Sequence, residues 1–234
     1  VLLLDADILV YKVGFMSNDE DEAVAISSLN GAVANWAITS ASLPFGGGES
    51  MELFLSGSTN YRKDINPDYK ANRGDKPKPR HFEALFNHLV DSWGAVVSDG
   101  EEADDMIGIR STQLGEDCLI ITIDKDYDQL PGWHYNPDKR LCYHVTPWEG
   151  TQFFYKQILT GDRVDNIIGL HRVGEKTAAK MLEACETEEE LYNNCVAVYM
   201  EREELTEGAA KIRVEELGQQ LWLRRKPNEM WRFQ

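Results

Sequence analysis

The chain has 234 residues, 42% of them hydrophobic, enough to bury the core of one domain or of one large domain with a small appendage. Forty acidic residues against 24 basic ones leave a net charge of -16, which excludes a uniformly basic nucleic-acid binder. The four cysteines, Cys118, Cys142, Cys185 and Cys195, contain no Cys-x-x-Cys pair and show no disulfide or zinc spacing.

In chain order, Val1 to Leu4 reads as a buried strand ended by Asp5 and is too short for a signal peptide or a membrane span. A soluble cytoplasmic protein with no membrane partner is expected. Residues 22–42 carry apolar side chains at helical spacing until Pro44 and the glycines at 46–48 break the pattern. Met51 to Leu55 predicts a second strand, His81 to Trp93 a helix with Phe82, Leu85, Phe86 and Leu89 on one stripe, and Ala95 to Val97 a third strand. An acidic helix start follows at Glu102 and runs to about Leu114. Cys118 to Ile123 is a continuous apolar run, as in a central parallel strand covered on both faces. Short strands are expected at 133–135 and 141–145. After Pro147 the pattern turns helical, over 148–159, 175–185, 188–200 and 209–223. Strands early and helices late predict an α/β core over 1–146 and a helical region over 147–234.

Charge is unevenly spread. Between Arg62 and Arg80, seven basic residues (Arg62, Lys63, Lys70, Arg73, Lys76, Lys78 and Arg80) meet three acids, so this stretch is +4 and the remainder -20. An exposed charged loop is one reading of it. The interleaved Tyr61 and Tyr69, with Pro77 and Pro79 limiting flexibility, favour a segment over 60–82 that grips a nucleic-acid strand.

Acids recur in pairs at predicted element ends: Asp5 with Asp7, Glu102 with Asp104 and Asp105, Asp124 with Asp126, and Asp162 with Asp165. Any one pair can be a solvated cap. Carboxylates two apart on a strand, or three apart on a helical turn, share a face. In open α/β sheets, functional groups gather beyond the carboxyl ends of the strands, where Asp5 and Asp124 both fall. Oxygen-only ligands select Mg²⁺ or Mn²⁺ over zinc, and two ions ~4 Å apart suit phosphodiester hydrolysis.

Several strings then carry a resemblance: NYRKDINPDYKANR from Asn60, EADDM from Glu102, IDKDYDQL from Ile123, and ILTGDRVDNIIGLHRVGEKTAAKML from Ile158 to Leu182. In this order they resemble the 5′-nuclease family, which comprises flap endonucleases, the 5′-nuclease domain of DNA polymerase I and phage 5′-3′ exonucleases, and most of all its phage members. The resemblance implies a PIN-like, mostly parallel sheet flanked by helices, and a helix-hairpin-helix element in the helical region. It implies metal-dependent cleavage of DNA bearing a 5′ end or 5′ flap, extending to RNA-DNA hybrids, by a monomer working in the cytoplasm, that of the host if phage-encoded. It assigns Asp5 as first metal carboxylate, Glu102 and Asp104 as shared or first-site ligands, and Asp105 and Asp126 as outer or second-site ligands. Asp124 falls between the sites, and Asp162 and Asp165 complete the second.

Tyr69 and Lys70 match residues that approach the scissile phosphate and its base, with Arg73 nearby. In the hairpin, Gly169 and Gly174 match the glycine positions that approach phosphate, Lys176, Thr177 and Lys180 extend the contact, and the family binds K⁺ there. Two positions depart from the pattern. Gly57 stands where the family carries an aspartate, and Asp7 is expected to substitute for it. His171 and Arg172 replace the usual Pro-Gly, with Arg172 expected to compensate by touching phosphate. Two rival readings are a non-catalytic DNA-junction binder, suggested by Gly57, and a haloacid-dehalogenase-like phosphatase, suggested by the strand ending in Asp5-Ala6-Asp7.

Overall fold

The computed structural model describes residues 1–40, 43, 45, 50–74 and 77–233. The predicted turn at Pro44 and 46–48, and the expected DNA contact Lys76, lie outside the described residues. The chain opens with strand β1 (Leu2–Asp5), which passes directly into helix α1 (Ala6–Met16), and α2 (Glu22–Ser40) follows. β2 (Met51–Leu55) leads to the short α3 (Arg62–Ile65), then to α4 (Phe82–Trp93), which stops where Gly94 adopts a left-handed φ of 68°. β3 (Val96–Val97), α5 (Ala103–Leu114), β4 (Leu119–Ile121) and the hairpin of β5 (Gly132–Asn136) and β6 (Leu141–Val145) complete the first part.

Among the described residues these strands form a six-stranded sheet in the order β3-β2-β1-β4-β5-β6, parallel except for β6 at the edge. β1 pairs with both β2 and β4, with Leu4 opposite Leu53 and Ile121. The parallel register makes all three strands finish at one edge, so Asp5, Ser56 and the turn after Ile121 are neighbours. Alternation decides the two faces. Leu2 and Leu4 pack under α1, α2 and α4 with Leu9, Leu29 and Leu85, while Leu3 points to the other side with Phe54, Ile107 and Ile120.

The helical part begins at Thr146, whose hydroxyl accepts from the Glu149 N–H while the Glu149 side chain returns the bond, with Pro147 in the first turn. That box sets α6 (Pro147–Thr160). A small antiparallel pair, β7 (Gly161–Asp162) and β8 (Ile167–Ile168), follows, then α7 (Glu175–Leu182), α8 (Glu188–Arg202) and α9 (Glu207–Leu221). Its core gathers Phe154, Ile158, Leu191, Tyr199 and Leu217, and also takes in Tyr69 from the basic segment. The last stretch, 222–233, returns as an irregular strap with a turn at 225–228: Gln129 accepts from the Leu223 N–H, and Gly108 leaves room for the Arg224 carbonyl, which a Cβ there would meet at 2.4 Å.

Candidate metal and nucleic-acid site

Carboxylates converge beyond the carboxyl ends of β1, β2 and β4. Asp5 ends β1, and Asp7 lies in the first turn of α1 with both its oxygens accepting from the Ser56 N–H at 3.1 Å. Glu102 caps α5, and Asp104 sits in that helix's first turn. Asp124 and Asp126 follow β4, where Asp124 accepts from the Asp126 N–H and Asp126 accepts from Gln157 Nε2 at 2.8 Å. Asp162 ends β7, and Asp165 lies in the turn between β7 and β8. A cavity is lined by Asp104, Asp126, Asp162 and Asp165 together with Tyr69 and Gln157. Asp124 joins the two halves, because its charge acts on Asp5 on one side and meets those of Asp162 and Asp165 on the other.

Like charges held this close resist ionising. Burial first, then Asp7 and Asp124, push the Asp5 carboxyl up to about 8. Burial, with Asp124 and Asp162, does the same for Asp126, also to about 8. Burial raises Asp7 and Asp124, and burial beside Asp105 and Glu102 raises Asp104. Glu102 moves the other way: burial would lift it, but Lys70 and Arg62 outweigh that and hold it low. Lys70 Nζ pairs with Glu102 and lies 3.5 Å from Asp165, and Arg73 pairs with Asp165. Among the described residues, Lys70, Arg73 and, through Glu102, the enclosed Arg62 thus face eight carboxylates.

An all-oxygen donor set with surplus negative charge fits hard divalent ions. Among the described residues, no three His, Cys, Asp or Glu side chains are already drawn together as a ligand set. The pKa shifts give a sign. A carboxyl raised from 3.8 to about 8 is protonated in the folded chain and ionised in the unfolded one at pH 6, so its contribution to stability falls as pH rises through that window. Divalent ions must displace those protons. The rise in melting temperature on adding Mg²⁺ is therefore expected to be larger at pH 8 than at pH 6. An equal rise at both would contradict the shifts at Asp5 and Asp126.

Four expectations are corrected by long-range packing. Asp105, expected as an outer metal ligand, is fully enclosed, and its two oxygens accept from Arg62 Nη1 and Nη2, the Arg224 N–H and the Glu102 N–H at 2.5–3.1 Å, which leaves no face for an ion. Arg62, expected as a DNA contact, is 1% exposed and also donates to the carbonyls of Gln220 and Trp222. Tyr69, expected to stack on a nucleotide, is 3% exposed, with its hydroxyl 2.7 Å from Glu102 Oε2 and 2.9 Å from Asp165 Oδ2. It is a strut between the two carboxylate groups. Gly169, expected at a phosphate, is packed back to back with Gly161, where a Cβ on either would come within 2.3 Å of the other's backbone nitrogen.

The other expected contacts lie on the surface. Lys63, Arg73, Lys78 and Arg80 are exposed along the basic segment, where Lys78 Nζ sits 3.9 Å over the Phe82 ring. Arg172, Gly174, Lys176, Thr177 and Lys180 are exposed around the start of α7. Arg172 holds a left-handed φ of 58°, and Gly174 caps α7 with nothing within 4 Å of where a Cβ would stand. That open backbone suits close approach of an anion to the helix start.

Supporting groups escaped the sequence reading. Thr122 Oγ1 donates to Asp5 Oδ2 at 3.2 Å, and Gln129 Nε2 donates to Gln157, which in turn holds Asp126. The glutamine at 157, buried and polar among the apolar residues of α6, is the feature of the sequence that marks this relay.

Gly57 has a steric reason. A Cβ there would lie 2.1 Å from the Ser98 carbonyl oxygen on the neighbouring strand's exit, so the place holds no side chain unless the backbone moves. Gly57→Ala is expected to cost about 1–3 kcal/mol in urea unfolding. A loss below ~0.5 kcal/mol would mean that this contact relaxes freely.

No family model matches the chain. It is 29% identical over 217 residues to a 5′-3′ exonuclease of Buchnera aphidicola, covering 83% of this chain and 73% of that protein. It is 33% identical over 157 residues to the thermostable DNA polymerase I of Thermus aquaticus, covering 61% of this chain but only 19% of the polymerase. A structure of the flap endonuclease of bacteriophage T5, in a pseudo-enzyme-product complex with DNA and metal ions, superposes with a TM-score of 0.66 at 17% identity, covering 94% of this chain and 88% of that one. That last likeness is one of fold.

Proposed function

We propose that the chain is a member of the 5′-nuclease family and that it hydrolyses phosphodiester bonds of DNA at 5′ ends or 5′ flaps with two divalent ions, Mg²⁺ or Mn²⁺. The observation that carries this reading is the convergence of carboxylates from four separate chain segments on one sheet edge, beside the exposed cations of the basic segment. Asp5, Asp7, Glu102 and Asp104 would hold one ion, and Asp126, Asp162 and Asp165 the other, with Asp124 between them. Such ions, when bound, neutralise phosphate charge and make water acidic enough to attack at neutral pH. Lys70, which pairs with Glu102 and lies 3.5 Å from Asp165, would meet the scissile phosphate, with Arg73 beside it. Tyr69 keeps Glu102 and Asp165 in register. Asp7 supplies the carboxylate that Gly57 lacks, since it already reaches the end of β2 through Ser56. Duplex phosphate would lie against Lys63, Lys78 and Arg80 on one side and Arg172, Gly174, Lys176, Thr177 and Lys180 on the other.

The reading extends to RNA-DNA hybrids, to K⁺ at the Gly174 turn, and to a monomer acting in the cytoplasm. It is tested with 5′-labelled flap, nicked and blunt duplexes in Mg²⁺, Mn²⁺ or EDTA: metal-dependent release of short 5′ products is expected. The close contact at Gly57 favours a second reading, a DNA-junction binder that has lost catalysis, and binding without products in every metal supports it. Turnover of small phosphate esters alone would support a phosphatase instead.

A further inference from the structure

Tyr127 lies in the short 3₁₀ turn Lys125–Gln129, between the acidic residues that follow β4 and the sheet. Its ring packs with Leu3, Ile107, Ile120 and Leu130, and the residue is 2% exposed. Its hydroxyl is enclosed and closes no hydrogen bond of good geometry. Leaving a buried hydroxyl unpaired costs on the order of 1–3 kcal/mol, and phenylalanine would fill the same space without that cost. The charges around this hydroxyl are those of the site carboxylates: Asp5 foremost, then Asp104, Asp124 and Asp7. Asp5 is already held on one oxygen, since Thr122 Oγ1 donates to Oδ2 and itself accepts from the Asp124 N–H at 3.1 Å.

We propose that Tyr127 is a positioning residue for Asp5: its phenol O–H donates to that carboxylate in the metal-bound protein and fixes which oxygen faces the ion. The inference rests on the metal-dependent reading above. The physical reason is general. A ligating carboxylate keeps one orientation only if groups behind it occupy its remaining lone pairs, and removing such a group weakens metal binding about 10–100-fold.

The test is Tyr127→Phe, read by Mn²⁺ titration with electron paramagnetic resonance of the free ion and by thermal melting in EDTA. In EDTA the variant is expected to melt at or above the parent temperature, because only an unpaired hydroxyl has been removed. Its Mn²⁺ affinity is expected to fall about tenfold. Unchanged affinity overturns the role of Tyr127 and leaves the metal reading intact. A parent protein that binds no Mn²⁺ overturns both. A clearly lower melting temperature in EDTA shows that the hydroxyl has a partner in the metal-free fold, which also overturns the proposal.

Discussion

Asp124→Asn is expected to lower metal-dependent cleavage by at least about a thousandfold, corresponding to roughly 4 kcal/mol of transition-state stabilisation, while the protein stays folded and bound to DNA. Asp124 is the carboxylate whose charge acts on both halves of the site, on Asp5 and on Asp126. Neutralising it weakens both proposed ion positions at once, which is why its effect should exceed that of an outer ligand. Structure survives for an equally local reason. Asparagine keeps the oxygen that accepts from the Asp126 N–H at 2.9 Å, and it relieves the repulsion that helps to raise Asp5 and Asp126. The melting temperature in EDTA should therefore be unchanged or higher, and DNA affinity in EDTA unchanged or slightly tighter, since one negative charge facing phosphate is gone. Single-turnover cleavage and melting, measured on one preparation, separate these signs. A variant that keeps more than about a tenth of the parent rate, or that melts several degrees lower in EDTA, would sink the assignment.

Asp5 and Asp124 were legible in the sequence because each directly follows an apolar strand run, so strand polarity alone places them at one sheet edge. The helices after Pro147 were legible for a similar reason, as caps such as Thr146 with Glu149 are local signals. Adjacent acids on a helix are a different matter. Asp104 and Asp105 are equivalent as a string, and they diverge only because Asp105 points at Arg62, 43 residues away, and at the backbone of Arg224, 119 residues away. The same distance effect misled the reading of the basic segment. Its +4 charge suggested a uniform grip on nucleic acid, yet Arg62 and Tyr69 turn inward because their partners sit on α5, α9 and the β7–β8 turn. The strap after α9 has no hydrophobic period, so nothing in its pattern announced that it crosses under α5.

Arg62→Ala is expected to destabilise the protein by about 3–5 kcal/mol, the range for removing one partner of an enclosed ion pair. Arg62 stitches three segments together. Its guanidinium grips Asp105 with two nitrogens, and Nε and Nη2 satisfy the carbonyls of Gln220 and Trp222 at 2.8 and 2.7 Å. Alanine leaves the fully enclosed Asp105 charge with only the two backbone N–H donors of Glu102 and Arg224, and strips a partner from two carbonyls at the end of α9. At roughly 2–4 °C per kcal/mol for a chain of this size, the melting temperature should fall by some 6–20 °C. The loss lies mainly in the uncompensated charge, so pairing the change with Asp105→Leu should recover much of it, and the double-mutant cycle should show a coupling above ~2 kcal/mol. A phosphate contact predicts the reverse: stability untouched, and a salt dependence of DNA affinity shallower by about one unit of slope. Guanidinium unfolding of the two single variants and the double variant, beside a salt titration of DNA binding, decides between them. A cost below ~1 kcal/mol together with a shallower slope would return Arg62 to the DNA interface and Asp105 to the set of candidate metal ligands.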